Sequence, residues 1–475
     1  MTLSFGDPNS RTRASLTKLV EDPKVPGLVV LGRDEEGTVA FSGGFANIES
    51  GLAPTPDTVF GLGSTTKAFT GLCLLRLVAD GELDLFGQVK GILGSDHPVL
   101  DEVTVHHLLT HTSGLPPLDA RFFALDRAAP ETFNGGVGRR PHDLPQSGVP
   151  GMGFTDYKGL LDYLGGLEID RLGPPGRWFS YSNEGYILLS GIVAETSGMS
   201  FEDYCKSAIL EPLGLTRTAF IGSPEAAAFT DVATPYSLDS DGRLKPIAWW
   251  DAPAWGAPGG LLASARDLLR AAASIQHLRV PGIPAELLAT ISAPHAPQGP
   301  HGGYYGYGLL MDRLRNGWSV VRHSGGRLGT SSQMKWLREK DVTAVAVVNV
   351  SDGPLESATT SIVADLCGVE INEVSLPSMR DLNRLSGPTL DPDRIVGIYR
   401  SSEGNMLNVA GGKEGLSAQI ADVDTALEAV GADLFVAGEL LLKFKVEGTG
   451  PAWGVEMGSR ILTRQVPIKR MGDRK

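Results

Sequence analysis

The sequence predicts an α+β domain followed by a smaller all-β domain. Residues 65–79 have the pattern of a helix that is apolar on most of its sides, which is typical of a helix buried in a core. Apolar runs at residues 318–321, 332–337 and 343–350 follow one another closely, which favours an antiparallel sheet. After about residue 370 the chain turns into short β-like runs separated by glycines, which indicates a small barrel or sandwich.

A hairpin and the buried helix are predicted first along the chain. Apolar runs at residues 28–31 and 39–41 flank a charged turn at residues 33–37, as in a hairpin. The helix at 65–79 ends before Gly81, a residue type that commonly follows a helix. Apolar residues at helical spacing predict further helices at 105–110, 185–196, 201–210 and 263–275.

Residues 117–155 are rich in glycine and proline and have little periodicity. The segment is long for a connection inside a compact domain. Two interpretations remain open. The segment is either a lid-like insertion that caps a cleft, with Arg139, Arg140 and His142 as its charged residues, or a plain surface loop.

The predicted domain boundaries follow from a change in composition after residue 372. Residues 1–372 are predicted as the α+β domain, and residues 393–475 as the all-β domain. Residues 373–392 between them are polar and contain three prolines, as in a linker. Strands are predicted in the last part at residues 395–399, 406–409, 416–420, 434–436, 440–446 and 461–466.

Composition and charge exclude several classes of protein. The 475 residues carry 55 acidic and 42 basic side chains, a net charge of −13, which argues against non-specific binding to nucleic acid. The chain has no apolar run long enough for a transmembrane helix and no signal-peptide pattern, so a cytoplasmic protein without membrane association is expected. Three scattered cysteines and no metal-binding motif predict neither a disulfide framework nor a metal or other cofactor.

The first candidate motif is the pair Ser64 and Lys67, spaced S-x-x-K at the start of the predicted buried helix. A serine hydroxyl is a weak nucleophile that needs a base within hydrogen-bond reach. Residues three apart share a helix face, so Lys67 can reach the Ser64 oxygen, and the helix N-terminus favours developing negative charge. Spacing alone is weak evidence, because Ser15 and Lys18 repeat it. The simpler interpretation is a helix-capping serine with a surface lysine.

The second candidate motif is Tyr181 and Asn183, the only Y-x-N in the chain. A tyrosine can pass a proton between a nucleophile and a leaving group. An asparagine amide can hydrogen-bond both a lysine and a substrate carbonyl. Taken in isolation, an aromatic core residue beside a turn is the simpler interpretation of Tyr181.

The third candidate motif is His323-Ser324-Gly325-Gly326, after the strand predicted at 318–321. Gly325 lets a substrate backbone approach closely. The N–H of Gly326 can form one half of an oxyanion hole, with the N–H of Ser64 as the other half. The same pattern recurs at His301, but there it lies in a loop rich in glycine and tyrosine. The simpler interpretation of His323 is a strand-end histidine bonded to a neighbouring carbonyl.

The order and spacing of the three motifs resemble a known family, the penicillin-recognising serine hydrolases, in the branch related to class C β-lactamases. That branch has S-x-x-K, then Y-x-N, then K-x-G or H-x-G. It includes D-aminopeptidases, esterases and the penicillin-binding-protein-type thioesterases that release or cyclise nonribosomal peptides. The resemblance extends over residues 20–370 and includes the segments 58–63, 108–115 and 257–265.

The resemblance implies a β-lactamase/transpeptidase-like fold and acyl transfer through an ester on Ser64. By similarity, Lys67 deprotonates Ser64, and Tyr181 shares the general acid and base role. Asn183 positions Lys67 and the substrate. Lys67 can act as the base only if burial near Tyr181 lowers its pKa. At His323 this sequence departs from the β-lactamases, where a lysine commonly binds a substrate carboxylate; because histidine is mostly neutral near pH 7, antibiotic resistance is disfavoured.

Residues 390–475 resemble the lipocalin-like barrel that follows the catalytic domain in D-aminopeptidase-like peptidases. The resemblance depends on Gly397-Ile398-Tyr399 and on a series of short strands punctuated by glycines. In relatives such a barrel edges the active site or builds an oligomer. A stabilising domain without substrate contact is the alternative.

The leading functional prediction is a serine hydrolase that cleaves amide or ester bonds of small peptides without a metal or cofactor. A preference for D-residues is left open. One alternative is an acyltransferase or thioesterase that releases or cyclises a nonribosomal peptide, with a carrier protein as partner. The other is a catalytically silent binding protein of the same fold. A homo-oligomer is left open, and no nucleic-acid or membrane partner is expected.

Overall fold

A computed structural model describes residues 5–116, 154–165, 170–249, 251–298, 302–378, 389–401, 406–412, 415–420 and 423–465. The insertion predicted at 117–155 lies almost wholly outside the described residues, as does the middle of the predicted linker. The helices are α1 Ser10–Val20, α2 Thr66–Ala79, α3 Val89–Leu93, α4 Val105–Leu109, α5 Tyr157–Gly165, α6 Asn183–Ser197, α7 Phe201–Cys205, α8 Pro224–Ala227, α9 Gly256–Gly259, α10 Ala265–Gln276, α11 Ala285–Ala289, α12 Leu355–Cys367 and α13 Pro392–Ile395.

The strands of the larger part are β1 Gly27–Arg33, β2 Thr38–Gly44, β3 Val59–Gly61, β4 Thr218–Phe220, β5 Tyr236–Leu238, β6 Leu244–Pro246, β7 Leu261–Ser264, β8 Ala296–Gln298, β9 Gly303–Tyr305, β10 Leu310–Arg313, β11 Ser319–Arg327, β12 Thr330–Leu337 and β13 Thr343–Val348. The strands of the last part are β14 Gly397–Arg400, β15 Met406–Gly412, β16 Gly415–Ile420, β17 Val423–Ala429, β18 Leu434–Ala437, β19 Leu440–Lys445, β20 Gly454–Met457 and β21 Arg460–Arg464.

An eight-stranded antiparallel sheet forms the centre of the larger part, as the sequence predicts. Its strand order is β2-β1-β13-β12-β11-β10-β9-β8, and Val30 of β1 lies opposite Phe41 and Ala346 in its two neighbours. Val30 belongs to the apolar cluster on the side of α1 and α12, whereas Val29 belongs to the cluster shared with the other helices. Because both faces are covered, β1 and β13 are almost continuously buried rather than alternating.

The helical side of the core is built around α2. Phe69, Leu72 and Leu75 of this helix are almost completely buried. Helices α6 and α9 pack against α2, and α4 packs against α6. This enclosure explains why the sequence of α2 is apolar on most of its sides. The small antiparallel sheet β3-β7-β4 leads into the N-terminus of α2 and so positions its first turn.

The last part of the chain closes into an antiparallel barrel of eight strands, in which each strand pairs with the next and β14 also pairs with β21. The rings of Tyr399 and Phe435 lie 5.6 and 5.3 Å from the ring of Phe444 inside it. Of the two architectures left open by the sequence, the barrel is confirmed. The sequence prediction misses β17, because most of its side chains are exposed, and β20, because it follows a loop rich in glycine.

Two local predictions differ from the structure. The helix predicted at 263–275 begins at Ala265, because the residues before it pair in strand β7. The strand predicted at 318–321 extends to Arg327, so the third motif lies inside β11 rather than at its end. Gly325 and Gly326 continue the pairing with β12, and this pairing fixes the motif in the sheet.

Candidate active site

Ser64 lies in the 3₁₀ turn Gly63–Thr65 between β3 and α2. The backbone of Gly63 has a φ of 52°, and a Cβ atom at this position would lie 2.5 Å from the carbonyl oxygen of Gly326. Only glycine therefore fits both the conformation and the space. The turn leaves Ser64 partly exposed at the start of α2, while the residues that follow it are buried. A reactive hydroxyl at this position is open to a substrate and close to backbone N–H groups.

Lys67 is completely buried, and its ammonium group points at Ser64. Its Nζ donates hydrogen bonds to Ser64 Oγ at 3.3 Å, to Asn183 Oδ1 at 2.7 Å and to the carbonyl oxygen of Pro258 at 2.8 Å. These acceptors come from three separate parts of the chain. The structure thus brings Ser64, Lys67 and Asn183 together, and a surface lysine is ruled out.

Tyr181 lies next to the same lysine, just before α6 begins at Asn183. Lys67 Nζ is 4.8 Å from the centre of the Tyr181 ring. Ser182, between the two motif residues, caps α6 by accepting a hydrogen bond from the N–H of Gly185. The cap fixes the turn from which Tyr181 and Asn183 both reach the lysine. The second motif therefore belongs to the same site as the first.

His323 lies inside β11, buried beside Tyr181 and Tyr305. Its Nδ1 is 2.6 Å from the carbonyl oxygen of Ser324, and its Nε2 is 3.1 Å from the hydroxyl of Tyr305. Because a carbonyl only accepts, Nδ1 carries the proton and Tyr305 donates to Nε2. Burial, followed by the charge of Lys67, lowers the pKa of His323 to about 3. The histidine is therefore neutral near pH 7. It makes the hydrogen bond to a neighbouring carbonyl that the simpler interpretation expects, and it also lies beside the other site residues.

Gly325 and Gly326 pack directly against the turn that carries Ser64. A Cβ atom on Gly325 would collide with the carbonyl oxygen of Leu62 and lie 2.7 Å from the nitrogen of Ser64. Ser332 of the neighbouring strand strengthens this junction, since its hydroxyl is 2.6 Å from the same Leu62 oxygen. The absence of a side chain at Gly325 is what allows β11 to reach the Ser64 turn. All seven predicted site residues thus lie close to one another in the structure.

Comparison with known proteins decides the family. The family model described as Beta-lactamase matches residues 12–366. The chain belongs to the beta-lactamase family. It is accordingly a serine hydrolase, a class that includes peptidases and esterases within this family.

Individual relatives of this beta-lactamase-family enzyme include a D-aminopeptidase of Gluconobacter oxydans, 26% identical over 93% of this chain and 76% of its own length. Esterase EstB of Burkholderia gladioli is 30% identical over 59% of this chain and 72% of its own length. Among solved structures, the octameric penicillin-binding protein homologue from Pyrococcus abyssi is 26% identical, with a TM-score of 0.67, and the match covers 95% of this chain and 99% of that one.

His111 lies in the candidate site, although no motif in the sequence predicts a role for it. Its ring lies 4.1 Å from the ring of Tyr181, and its Nδ1 accepts a hydrogen bond of 3.1 Å from the N–H of Ser182. Burial lowers its pKa well below the usual value, so the ring is neutral. Its only signal in the sequence was membership of the segment 108–115, which resembles the family without revealing a role.

A second missed residue is Arg460, which comes from the barrel. The turn between β20 and β21 contacts the catalytic part, where the carbonyl oxygen of Ser459 accepts a hydrogen bond of 2.9 Å from the N–H of Tyr181. The guanidinium of Arg460 lies 4.6 Å from the centre of the Tyr181 ring. The barrel therefore edges the candidate active site, as one of the two interpretations of it expects. Nothing local in the sequence predicts a contact between residues so far apart.

Neither a metal-binding cluster nor a membrane-spanning helix is present in the part of the chain that the structure describes. No three His, Cys, Asp or Glu side chains there are placed to hold a metal ion. No helix among those residues is long and apolar enough to cross a membrane.

Proposed function

We propose that Ser64 is the nucleophile of this enzyme and that Lys67 and Tyr181 move its proton. One observation carries the proposal: the buried Lys67 Nζ lies within hydrogen-bond distance of both Ser64 Oγ and Asn183 Oδ1. Residues of two distant motifs thus converge on one amine, which a helix cap beside a surface lysine does not require. A nucleophile and base in hydrogen-bond contact, with a third group orienting the base, is the arrangement that covalent catalysis needs.

The reaction we propose passes through an ester on Ser64. The serine oxygen bonds to the carbonyl carbon of the substrate while its proton passes to Lys67 or Tyr181. That proton then goes to the leaving amine or alcohol as the scissile bond breaks. Water attacks the ester, the acid is released and Ser64 regains a proton. The N–H groups of Ser64 and Gly326 stabilise the negative charge on the carbonyl oxygen, because β11 packs against the Ser64 turn.

The substrates that fit this proposal are amides or esters of small peptides and amino acids. Similarity to a D-aminopeptidase and to an esterase supports this class, and a preference for D-residues forms part of the proposal. The neutral His323 supports it as well, since a buried, uncharged ring offers no cation to a substrate carboxylate. Substrates that are recognised by a free carboxylate at this position, such as β-lactams, are disfavoured on the same ground.

Intact-mass spectrometry tests the nucleophile and the substrate class together. The full chain is mixed with matched D- and L-aminoacyl esters and amides and quenched at short times. We expect a mass increase equal to the acyl group, larger for the D-series, that is absent in Ser64→Ala. Ser15→Ala is the matched control, because Ser15 and Lys18 on α1 repeat the spacing of the motif outside the site.

Three results of that experiment would contradict the proposal in different ways. An acyl adduct that persists in Ser64→Ala contradicts the nucleophile. Equal acylation by both series contradicts the D-preference. A chain that takes no label from any ester or amide, nor in a parallel reaction with a fluorophosphonate, contradicts catalysis and makes the silent binding protein the better interpretation.

Other expectations from the sequence stay predictions. An octameric relative supports a homo-oligomer, which light scattering of the purified chain can measure. Transfer of the acyl group to an amine, with a carrier protein as partner, has no observation among the described residues in its favour. A cytoplasmic location and the domain boundaries at residues 372 and 393 are likewise predictions.

A further inference from the structure

The barrel holds the backbone that carries Tyr181. The N–H of Tyr181 donates to the carbonyl oxygen of Ser459 at 2.9 Å, and the N–H of Ile461 lies 3.4 Å from Ser180 Oγ. Both contacts flank Arg460, the first residue of β21. The turn of the barrel is therefore hydrogen-bonded to the segment that carries Tyr181 on both sides of Arg460.

These two hydrogen bonds place the side chain of Arg460 over the ring of Tyr181. Its guanidinium lies 4.6 Å from the ring centre, and its Nη1 donates to Ser459 Oγ at 3.1 Å. Lys67 Nζ lies 4.8 Å from the same ring centre. Two cations thus flank one phenol, and a cation at such a distance favours the negatively charged form of a titratable group.

The other ionisable rings around Tyr181 carry no charge near pH 7. Burial lowers the pKa of His111 well below its usual value and that of His323 to about 3. Burial raises the pKa of Tyr186 and Tyr305 well above the usual value. His323, at the position of the third motif where a lysine is common in the family, is therefore uncharged. The positive charge of Arg460 adds to the effect of burial on the pKa of His111 and opposes the effect of burial on the pKa of Tyr305, so its field reaches the interior of the site.

We propose that Arg460 is a positioning residue of the acylation step, which stabilises the phenolate of Tyr181 and replaces the charge that His323 does not provide. The inference rests on the proposed roles of Ser64 and Tyr181. Glu184, the first acidic residue after Tyr181, accepts a hydrogen bond from Ser182 Oγ at 2.8 Å. With the phenolate stabilised, Tyr181 can accept the Ser64 proton at a lower pH.

The pH dependence of acylation tests this role. The rate of labelling of Ser64 by a fluorophosphonate is measured against pH in the full-length protein and in two variants, Arg460→Gln and Arg460→Lys. We expect Arg460→Gln to move the rising limb of the profile upward by about one pH unit, the lower end of the shift that a charge at this distance causes. Arg460→Lys keeps the charge, so its profile should lie close to that of the natural sequence.

Arg177→Gln is the matched control. Arg177 also contacts the barrel, through Glu447 at 2.8 Å, but both side chains of that pair are exposed. The variant removes an arginine from the same interface and should leave the pH profile unchanged. A uniform loss of rate in Arg460→Gln without a shift of the profile would make Arg460 a purely structural contact. An effect confined to the KM of an ester substrate would place it against the substrate instead. Either result overturns the proposal.

A second measurement keeps the proposal testable if Arg460→Gln does not fold. The ultraviolet absorbance of the phenolate is titrated in the natural sequence, with Tyr181→Phe subtracted as reference. We expect Tyr181 to ionise well below the ordinary value of about 10. Ionisation at the ordinary value contradicts the role of Arg460. Persistence of fluorophosphonate labelling in Ser64→Ala, by contrast, contradicts the proposed function itself, so the two failures can be told apart.

Discussion

Lys67 joins three parts of the chain through one nitrogen atom. It is buried on the first turn of α2, and its bonds to Ser64, Asn183 and the Pro258 carbonyl draw the turn, α6 and α9 together. All three acceptors are uncharged oxygen atoms. A buried amine in hydrogen-bond contact with a serine hydroxyl is placed to exchange a proton with it.

Replacement of Lys67 by methionine should therefore remove acylation while conserving the size of the side chain. We expect the acylation rate to fall by about 10²- to 10⁴-fold, the range associated with loss of a general base. Stopped-flow measurement of acyl-enzyme formation gives the rate, and Lys18→Met on α1 is the control. A loss smaller than tenfold would remove Lys67 from its proposed role.

His323 should make the stability of the fold depend on pH. Its pKa is about 3 in the folded chain, against 6.5 for an ordinary histidine. Between pH 6.5 and 3 the unfolded chain therefore binds a proton at His323 and the folded chain does not. The contribution of His323 to the stability of the fold is full above pH 6.5 and decreases as the pH is lowered towards 3. Between pH 6 and 5 the free energy of unfolding should decrease by about 1.4 kcal/mol per pH unit on account of this residue.

Urea denaturation across that interval measures the slope. The variant His323→Gln isolates the contribution of His323, because every other titrating group remains. Its slope should be smaller than that of the natural sequence by about one proton. Equal slopes would show that His323 is protonated in the folded state, contrary to its burial.

The contact between β11 and the Ser64 turn is the feature on which the proposed oxyanion hole depends. Gly325 faces that turn without any space for a side chain, whereas a Cβ atom on Gly326 would meet no atom within 4 Å. Neighbouring glycines of one strand thus have opposite tolerances, because successive residues of a strand face opposite sides of the sheet.

Gly325→Ala and Gly326→Ala form a matched pair. We expect Gly325→Ala to lower the free energy of unfolding by about 1–3 kcal/mol, as for overpacking, and to abolish acylation, because the strand must move away from Ser64. Gly326→Ala should keep the stability of the natural sequence. Chemical denaturation of both variants provides the comparison. Equal destabilisation would argue against the packing of Gly325 on the turn.

The sequence predicts the elements of the site better than their contacts. The S-x-x-K spacing and the apolar pattern of α2 predict the approach of Lys67 to Ser64, and the family order of motifs predicts Tyr181 and Asn183. The contact of Arg460 with Tyr181 is not predictable in this way. It depends on how the barrel packs against the rest of the chain, and this packing produces no periodic pattern in the sequence. Strand β17 is missed for a related reason, since its exposed residues lack an alternating pattern.

The two parts of the molecule meet along a surface that contains a buried ion pair. Lys445 Nζ lies 2.6 Å from Glu456 Oε2, and both side chains are less than 10% exposed. The same Nζ lies 4.7 Å from the centre of the ring of Trp178, three residues before Tyr181 in the chain. The ion pair is therefore part of the barrel and also contacts the larger part of the molecule, through Trp178.

Glu456→Gln should leave the charge of Lys445 buried without a counter-ion. We expect a loss of about 3–5 kcal/mol in stability, whereas the double variant Lys445→Met with Glu456→Met should stay close to the natural sequence. Thermal unfolding of the three proteins separates the cases. A single variant as stable as the natural sequence would mean that the pair is solvated.

A chain cut at residue 372 would retain every residue of the three motifs and lose Ser459 and Arg460. In such a fragment the candidate active site would lack the barrel on one side, and Tyr181 would lack the nearby charge of Arg460. Substrate screens on the fragment would therefore test a different site. If Arg460 has the proposed role, the minimal enzyme includes the barrel. A barrel exchanged between two relatives should transfer part of the pH optimum with it, so the β20–β21 turn is a position at which the working pH of this enzyme can be engineered.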